Sequence, residues 1–159
     1  MIVADLLALF TQAAKLLREA ADEAMSRHGV RVGQHIVLSV LWEEDGLTPG
    51  EIARRLQAAT PTIVNTATRM EEAGLLVRQP DPADARLVRL YLTPHGRSVR
   101  APVRDARAAL ERHATATLTA AELDHLRTAL TKIIDQLQGE PPSVPRHAQE
   151  AKPDRAQEP

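Results

Sequence analysis

Apolar residues recur every three or four positions along most of the chain, which is the spacing of an amphipathic helix. The first stretch of this kind runs from about Ala4 to His28, and Gly29 is placed to end it. A second apolar face at residues 36–41 predicts another helix from about Gln34 to Glu43. The chain is therefore expected to begin with one long and one shorter helix.

Two further helices are indicated mainly by their ends. Residues 48–51 supply a capping hydroxyl, a proline at the first helical position and a carboxylate three residues on, which predicts a short helix ending near Leu56. The threonine and proline at 60–61 then open a helix over residues 61–73, and Gly74 ends it. Its β-branched residues favour a strand, but the two boundaries and the helical apolar spacing favour a helix.

Residues 75–79 and 87–92 have strand character, and the segment between them is rich in Pro and Asp, which are turn residues. This pattern predicts a β-hairpin. A further helix is expected from Thr93 to about Thr117, kinked at Pro102. A capping box over residues 118–123 then opens a last helix that ends near Gln138.

The segment 139–159 holds five of the eleven prolines and very few large apolar side chains. Such a composition cannot bury enough surface to order itself, so we expect a disordered, Pro-rich C-terminal tail. Residues 1–138 are expected to form one domain, because that length and the 43% hydrophobic composition suffice for a core.

The predicted order of elements is typical of a winged helix-turn-helix. A short capped helix, about three turn residues and a second helix form the helix-turn-helix, and a hairpin directly after it forms a wing. The expected fold class is mainly α with a small β-hairpin, flanked by long N- and C-terminal helices.

Cysteine is absent, which excludes disulfides, thiolate metal sites, cysteine nucleophiles and thiol-based redox sensing. The N-terminus has no basic region followed by a cleavage site, and charges interrupt every apolar run well before the roughly 18 residues of a membrane span. We therefore expect a cytoplasmic protein that does not act at a membrane.

The net charge of −1 conceals an uneven distribution. Residues 48–104 contain nine Lys and Arg against five Asp and Glu, whereas the segments on either side are acidic. A basic segment between acidic ones is consistent with a DNA-contacting lobe carried by helices that serve another purpose.

The motifs of residues 48–97 follow one another in a fixed order with fixed gaps. Together they resemble the MarR family of transcription regulators, and the motifs that carry the resemblance are Glu51–Leu56, Thr60–Thr62, Met70–Arg78, Asp81–Arg86 and Leu92–Arg97. The resemblance implies a homodimer with dimerisation helices at about 2–28 and 94–138 and a DNA-binding lobe at about 34–97. It also implies a small aromatic or amphipathic ligand that releases a repressor from a pseudo-palindromic operator.

The helix over 61–73 is the expected recognition helix. Ile63, Ala67 and Met70 face the lobe by their spacing, so the opposite face is expected to enter the major groove. The residues expected to contact DNA from this helix are Thr60, Thr62, Asn65 and Arg69. Asn65 and Thr66 depart from the residues usual in the family, so no operator sequence can be transferred.

In the wing, Asp84 and Arg86 match the Asp-x-Arg pattern of the family. The resemblance implies that the carboxylate holds the turn and that the arginine reaches the minor groove, where negative potential is concentrated. Arginines expected to contact phosphates are Arg54, Arg55 and Arg78, ahead of Arg89 and Arg97.

The remaining chemistry indicates no enzyme and no cofactor. The six histidines lack the spacing of metal ligands, and no nucleophile elbow or phosphate-binding loop is present. Arg18, His35 and Trp42 are candidates to line a ligand cavity, although the sequence does not assign ligand-binding residues. The alternative function is a winged-helix module that binds protein instead of specific DNA.

Overall fold

The computed structural model describes residues 5–139. The chain divides into two compact units, one ending at residue 116 and the other beginning at residue 117. The described elements are α1 (Leu6–Ser26), α2 (Val32–Glu43), α3 (Pro49–Leu56), α4 (Thr60–Glu72), β1 (Leu76–Pro80), β2 (Val88–Leu92), α5 (Pro94–Ser98), α6 (Arg100–Ala114) and α7 (Ala120–Gln138). The predicted fold class, mainly α with one small hairpin, is confirmed.

The core of the first unit extends from the end of α1 to the start of α6. Its fully buried side chains come mainly from α2, α3, α4 and the hairpin, and α1 contributes only Met25. The largest of them are Met25, Leu38, Leu41, Ile52, Met70, Leu75, Leu76 and Leu90. Burial of such side chains contributes about 1.5–3 kcal/mol each, so the helix-turn-helix and its hairpin are held by a shared apolar centre.

The capping box that predicts α3 is present. The Thr48 hydroxyl accepts a hydrogen bond from the Glu51 amide at 3.2 Å, and the Glu51 carboxylate accepts one from the Thr48 amide at 2.8 Å. The helix ends at Gln57, which is left-handed at φ 51°. The amide of Ala58 then bonds the Ala53 carbonyl at 2.9 Å, which closes the helix and directs the chain into the turn before α4.

Helix α2 begins two residues earlier than the sequence predicts. The Asp22 carboxylate of α1 accepts a hydrogen bond from the Val32 amide at 3.1 Å and forms an ion pair with Arg31 at 2.8 Å. A carboxylate at a helix N-terminus satisfies a free amide and favours the helix dipole. Asp22 thereby caps α2 from another element.

The strands of the hairpin pair in register from Leu76 opposite Leu92 to Pro80 opposite Val88. After β2, Thr93 turns the chain back onto the start of the hairpin, where its hydroxyl donates to the Gly74 carbonyl at 2.6 Å and its amide bonds the Leu75 carbonyl. This places Gly96 of α5 directly against the hairpin.

The sequence predicts one long helix after Thr93 with a kink at Pro102. The structure instead has a break that divides it into α5 and α6. The helix ends at Ser98 and resumes at Arg100. Proline has no amide hydrogen, and its ring collides with the carbonyl four residues earlier, which here belongs to Ser98. The sequence therefore identifies the cause, but the break lies one helical turn before the proline.

The second unit, over its described part, consists of α7 and the turn that precedes it. Its predicted capping box is present, with Thr119 and Glu122 bonded reciprocally at 2.8 and 3.3 Å. The helix ends at Gln138 as predicted. It leaves large apolar side chains exposed, namely Leu126, Leu130, Ile134 and Leu137.

Two further expectations concern the C-terminal tail and membrane-spanning helices. The predicted disordered tail begins at Gly139, and its residues 140–159 lie outside the described residues, as do residues 1–4. Among residues 5–139, every helix is too short or too polar to cross a lipid bilayer.

Candidate nucleic-acid interface

Helix α4 presents two chemically different sides. Ile63, Ala67 and Met70 are buried against the core. The residues predicted to contact DNA, Thr60, Thr62, Asn65 and Arg69, are all exposed. The structure therefore separates a packing face from a polar face, as the sequence spacing predicts.

The β-branched residues of α4 are accommodated by local hydrogen bonds. The hydroxyls of Thr66 and Thr68 donate to the carbonyls of Thr62 and Val64, one turn earlier, at 2.9 and 3.1 Å. Threonine satisfies its hydroxyl in this way inside a helix. Helix α4 begins at Thr60, with Ala59 as the N-cap and no side-chain capping bond. The helix thus begins one residue earlier than predicted, with Thr60 inside its first turn.

Arg69 lies at the edge of the exposed face, towards α1. Together with Thr66 it lines a groove of about 750 Å³ whose other wall includes Arg18 and Asp22 of α1 and the start of α2. Thr62 and Asn65 do not line this groove. The structure thus places Arg69 between two surfaces, the polar face of α4 and the groove.

Arg78 joins the hairpin to α4. Its guanidinium donates to Glu71 at 3.0 Å, to the Thr68 hydroxyl at 2.8 Å and to the Val64 carbonyl at 3.2 Å. Its side chain is only 30% exposed. A phosphate contact by Arg78 stays a prediction, and the structure gives this residue a structural role that the sequence did not reveal.

The two other predicted phosphate-contacting residues lie side by side on α3, and both are exposed. Arg55 forms an ion pair with Glu44 at the end of α2. Arg54 precedes it in the same last turn of the helix. Of the two secondary candidates, Arg97 pairs with Asp45 at 2.6 Å.

The predicted wing residues occupy the turn between the strands. Asp84 accepts hydrogen bonds from the Arg86 amide and from the Arg86 side chain, both at 3.0 Å. These bonds from Arg86 hold the pKa of the Asp84 carboxyl below its ordinary value. The Arg86 side chain is 90% exposed. Its charge therefore faces solvent, while its hydrogen bonds to Asp84 stabilise the turn that carries it.

Asp81 opens one of the motifs that carry the family resemblance, but the sequence assigned it no role; in the structure it is only 6% exposed. Its carboxylate accepts amide hydrogen bonds from Ala83 at 2.7 Å and Asp84 at 3.0 Å, and it pairs with the Arg89 guanidinium. The Ala83 amide and the Arg89 side chain hold the pKa of Asp81 below its ordinary value. The available signal was Asp followed by Pro, which is typical of a turn in which the Asp side chain bonds the following backbone.

The three candidate ligand residues do not share a cavity. Arg18 lines the groove beside α4, whereas Trp42 lines a separate cavity of about 420 Å³. His35 packs edge-on against Trp42, with the two ring centroids 5.9 Å apart. Its Nδ1 lies 3.5 Å from a guanidinium nitrogen of Arg107. Burial, reinforced by the Arg107 charge, lowers the pKa of His35.

The described residues contain no cluster of three or more histidines, aspartates and glutamates arranged to hold a metal ion. The exposed residues of the lobe offer hydrogen-bonding groups and positive charge. Exposed amide and hydroxyl groups on a helix are suited to the major groove of a duplex, and an exposed arginine on a hairpin is suited to the minor groove.

Comparisons with known proteins agree with this arrangement. A family model described as "MarR family" matches residues 28–87. The HTH-type transcriptional regulator TtmR of Methylorubrum extorquens is 35% identical over 88 residues, which are 55% of this chain and 45% of TtmR. The match thus spans less than half of that relative.

Solved structures share the fold over most of the chain. A MepR–DNA complex from S. aureus has a TM-score of 0.72 at 24% identity and covers 87% of this chain and all of MepR. CouR from Rhodococcus jostii RHA1, solved with p-coumaroyl-CoA, has a TM-score of 0.67 at 25% identity and covers 81% of this chain and 91% of CouR. Residues 28–87 thus match the MarR family model, and the winged helix-turn-helix fold of these solved proteins is shared over most of the chain.

Proposed function

We propose that the chain is a homodimeric, sequence-specific DNA-binding transcription regulator, and that it acts as a repressor that a small ligand releases from a pseudo-palindromic operator. The observation that carries the proposal is the pairing of an exposed polar face on α4 with an Arg86 side chain that is 90% exposed on the wing. Neither feature is needed for the core. A regulator of this kind works where the chromosome is accessible, in the cytoplasm.

The exposed residues of α4 have the chemistry of base recognition. Asn65 can bond adenine N6 and N7, Thr62 can contact a thymine methyl or a phosphate, and Arg69 can span guanine O6 and N7. Arg86 would enter the adjacent minor groove, and Arg54 and Arg55 on α3 would contact phosphates. A structure of MepR with DNA supports this assignment by likeness of fold.

The first helix supports the dimer. Although α1 is 21 residues long, Met25 is its only buried side chain, and leucines along it are exposed by about half or more. These are Leu6, Leu7, Leu9, Leu16 and Leu17. An apolar surface of this extent on a helix favours association, and α7 independently exposes a second set.

The groove beside α4 offers a place for a ligand. Within residues 5–139, the carboxylates of this groove are paired, Asp22 with Arg31, Glu19 with Lys15 and Glu23 with Arg27. The charge of Arg18 acts on Asp22 from a distance, but neither Arg18 nor Arg69 forms an ion pair within 4.0 Å in this part of the chain. An organic anion bound by both arginines would link α1 to the recognition helix. A ligand shifts a conformational equilibrium towards the state that it binds more tightly. Such a link would therefore favour one position of the DNA-binding lobe relative to α1 over the others.

The DNA-binding proposal is tested by titrating the protein with duplex from the region upstream of its own gene, at two salt concentrations and against a random duplex of equal length. We expect tighter binding to the upstream duplex and a steep loss of affinity with salt, since phosphate contacts release counterions. Equal affinity for both duplexes would leave the alternative, a winged-helix module that binds protein.

The dimer is tested by sedimentation of Leu17→Asp beside Gln12→Asp. Both substitutions add one negative charge to an exposed position of α1, but only the first interrupts the apolar surface. We expect the Leu17 variant to be monomeric and the Gln12 variant to remain dimeric. A monomeric wild-type protein would contradict the proposal.

A further inference from the structure

The turn of the wing is held by polar bonds because it has little apolar support. Leu87 and Val88, the apolar residues nearest the turn, are 47% and 39% exposed. The one buried side chain at this end of the hairpin is Asp81. The position of Arg86 therefore depends on what Asp81 and its partners hold in place.

Asp81 organises the turn from within. One carboxylate oxygen accepts the amides of Ala83 and Asp84, and the Asp81 amide itself bonds the Leu87 carbonyl at 2.9 Å, which closes the turn. Asp84, thus fixed, carries the Arg86 side chain. A continuous set of hydrogen bonds connects Asp81 to the exposed arginine.

The second oxygen of Asp81 connects the turn to the helix-turn-helix. It accepts the Nε hydrogen of Arg89, while another Arg89 nitrogen donates to the Gly46 carbonyl at 2.7 Å. The same guanidinium lies 3.7 Å from the Glu51 carboxylate, which caps α3. Arg89 thereby spans the base of the wing and the connection between α2 and α3.

We propose that the Asp81–Arg89 ion pair, here called the wing-base ion pair, is the positioning element that sets where Arg86 meets DNA relative to the helix-turn-helix. Arg89 is then a positioning residue and not a phosphate contact. This inference rests on the proposed DNA-binding function, but its effect on the wing is measurable in the free protein.

Asp81→Asn is the most selective variant. The asparagine oxygen can still accept the two turn amides, but its NH₂ group would face the Arg89 donor, so the bond across the wing base is lost. Losing a negative charge near DNA would by itself tighten binding, so weaker binding would be diagnostic. Glu72→Gln removes a negative charge from the exposed end of α4 and is the matched control.

The test combines DNA affinity with hydrogen exchange. We expect Arg86→Ala to weaken binding to the upstream duplex by about 10- to 100-fold, the effect of one charged hydrogen bond. We expect Asp81→Asn to weaken binding by a large part of the same factor. The double variant, Asp81→Asn with Arg86→Ala, should bind no more weakly than Arg86→Ala alone, because Asp81 acts on DNA only through Arg86. Glu72→Gln should bind as well as the wild-type protein or better.

Amide exchange in free Asp81→Asn should be faster at residues 83–87 and unchanged in the core of α4. Unchanged exchange in the turn would overturn the inference, whether or not the wild-type protein binds DNA. Fully additive losses in the double variant would also overturn it. If Asp81→Asn fails to fold, Arg89→Lys serves in its place, since lysine keeps the charge but cannot reach both Asp81 and Gly46; global unfolding of both variants would assign the pair to folding instead.

If the wild-type protein shows no preference for the upstream duplex, the proposed function fails by itself. Exchange in the turn still decides whether the wing-base ion pair holds residues 83–87.

Discussion

Gly46 and Gly96 each lie against a neighbour that leaves no room for a side chain. A Cβ at Gly96 would lie 2.0 Å from the Leu75 carbonyl oxygen, which is backbone and cannot move freely. At Gly46 it would meet the Tyr91 ring at 2.6 Å, and the backbone there is also left-handed at φ 75°. Single glycines thus fix how closely α5 and the α2–α3 connection approach the hairpin.

Gly96→Ala should destabilise the protein by about 1–3 kcal/mol, because the methyl group forces α5 away from Leu75. Urea unfolding measures this change as a lower midpoint. Gly50→Ala is the matched control, since a Cβ there meets nothing within 4 Å in the first turn of α3. A similar loss for both variants would show that the contact at Gly96 is not the cause.

Carboxylates that accept backbone hydrogen bonds give the fold its acid sensitivity. The Val32 amide and then the Arg31 guanidinium hold the pKa of Asp22 below its ordinary value. A lowered folded-state pKa means that stabilisation is complete above the unfolded value, about 3.9, and is lost as pH falls through the folded one. Asp22 therefore stabilises the junction of α1 and α2 at neutral pH.

Unfolding midpoints of the wild-type protein should change little between pH 7 and pH 5 and fall steeply below about pH 4. Asp22→Asn should be less stable at pH 7 and should lose less on acidification. Asp105→Asn, an exposed carboxylate on α6, is the control. Identical pH profiles for wild type and Asp22→Asn would contradict this role.

At the scale of the elements, caps and apolar spacing predict the helices well. The Thr48–Glu51 and Thr119–Glu122 boxes act within four consecutive residues, so the sequence reveals them completely. The early start of α2 depends on Asp22, which lies ten residues before Val32 in the sequence. Patterns within a few consecutive residues could not have predicted it. The same holds for the candidate site, where the exposed face of α4 follows from spacing but the partners of Arg78 and Arg89 follow from the tertiary fold.

The end of α3 offers a direct test of an element boundary. Gln57 is the only non-glycine residue with positive φ among those described, and a left-handed residue with a side chain costs about 1–2 kcal/mol. Gln57→Gly should therefore raise the free energy of unfolding by up to about 1 kcal/mol, whereas Gln57→Ala should not. Thermal unfolding checks this, and equal midpoints for the two variants would show that the turn carries no such strain.

For the molecule as a whole, the uneven charge agrees with the roles that the proposed function gives to each segment. The basic segment 48–104 contains α3, α4, the hairpin and α5, whereas α1 and α7 lie in acidic segments and expose large apolar side chains. Neutral overall composition thus conceals a lobe suited to DNA and helices suited to association. Net charge alone would have pointed away from a nucleic-acid partner.

In the proposed complex, two copies of the protein place α4 and Arg86 on one duplex. Hydroxyl-radical footprinting of the upstream duplex should show two protected segments centred about one helical turn, or 34–36 Å, apart. With Arg86→Ala, we expect the minor-groove protection at the outer edge of each segment to be lost. The protection due to α4, inside those edges, should remain. A single protected segment, or a footprint that is identical without the Arg86 side chain, would contradict this account.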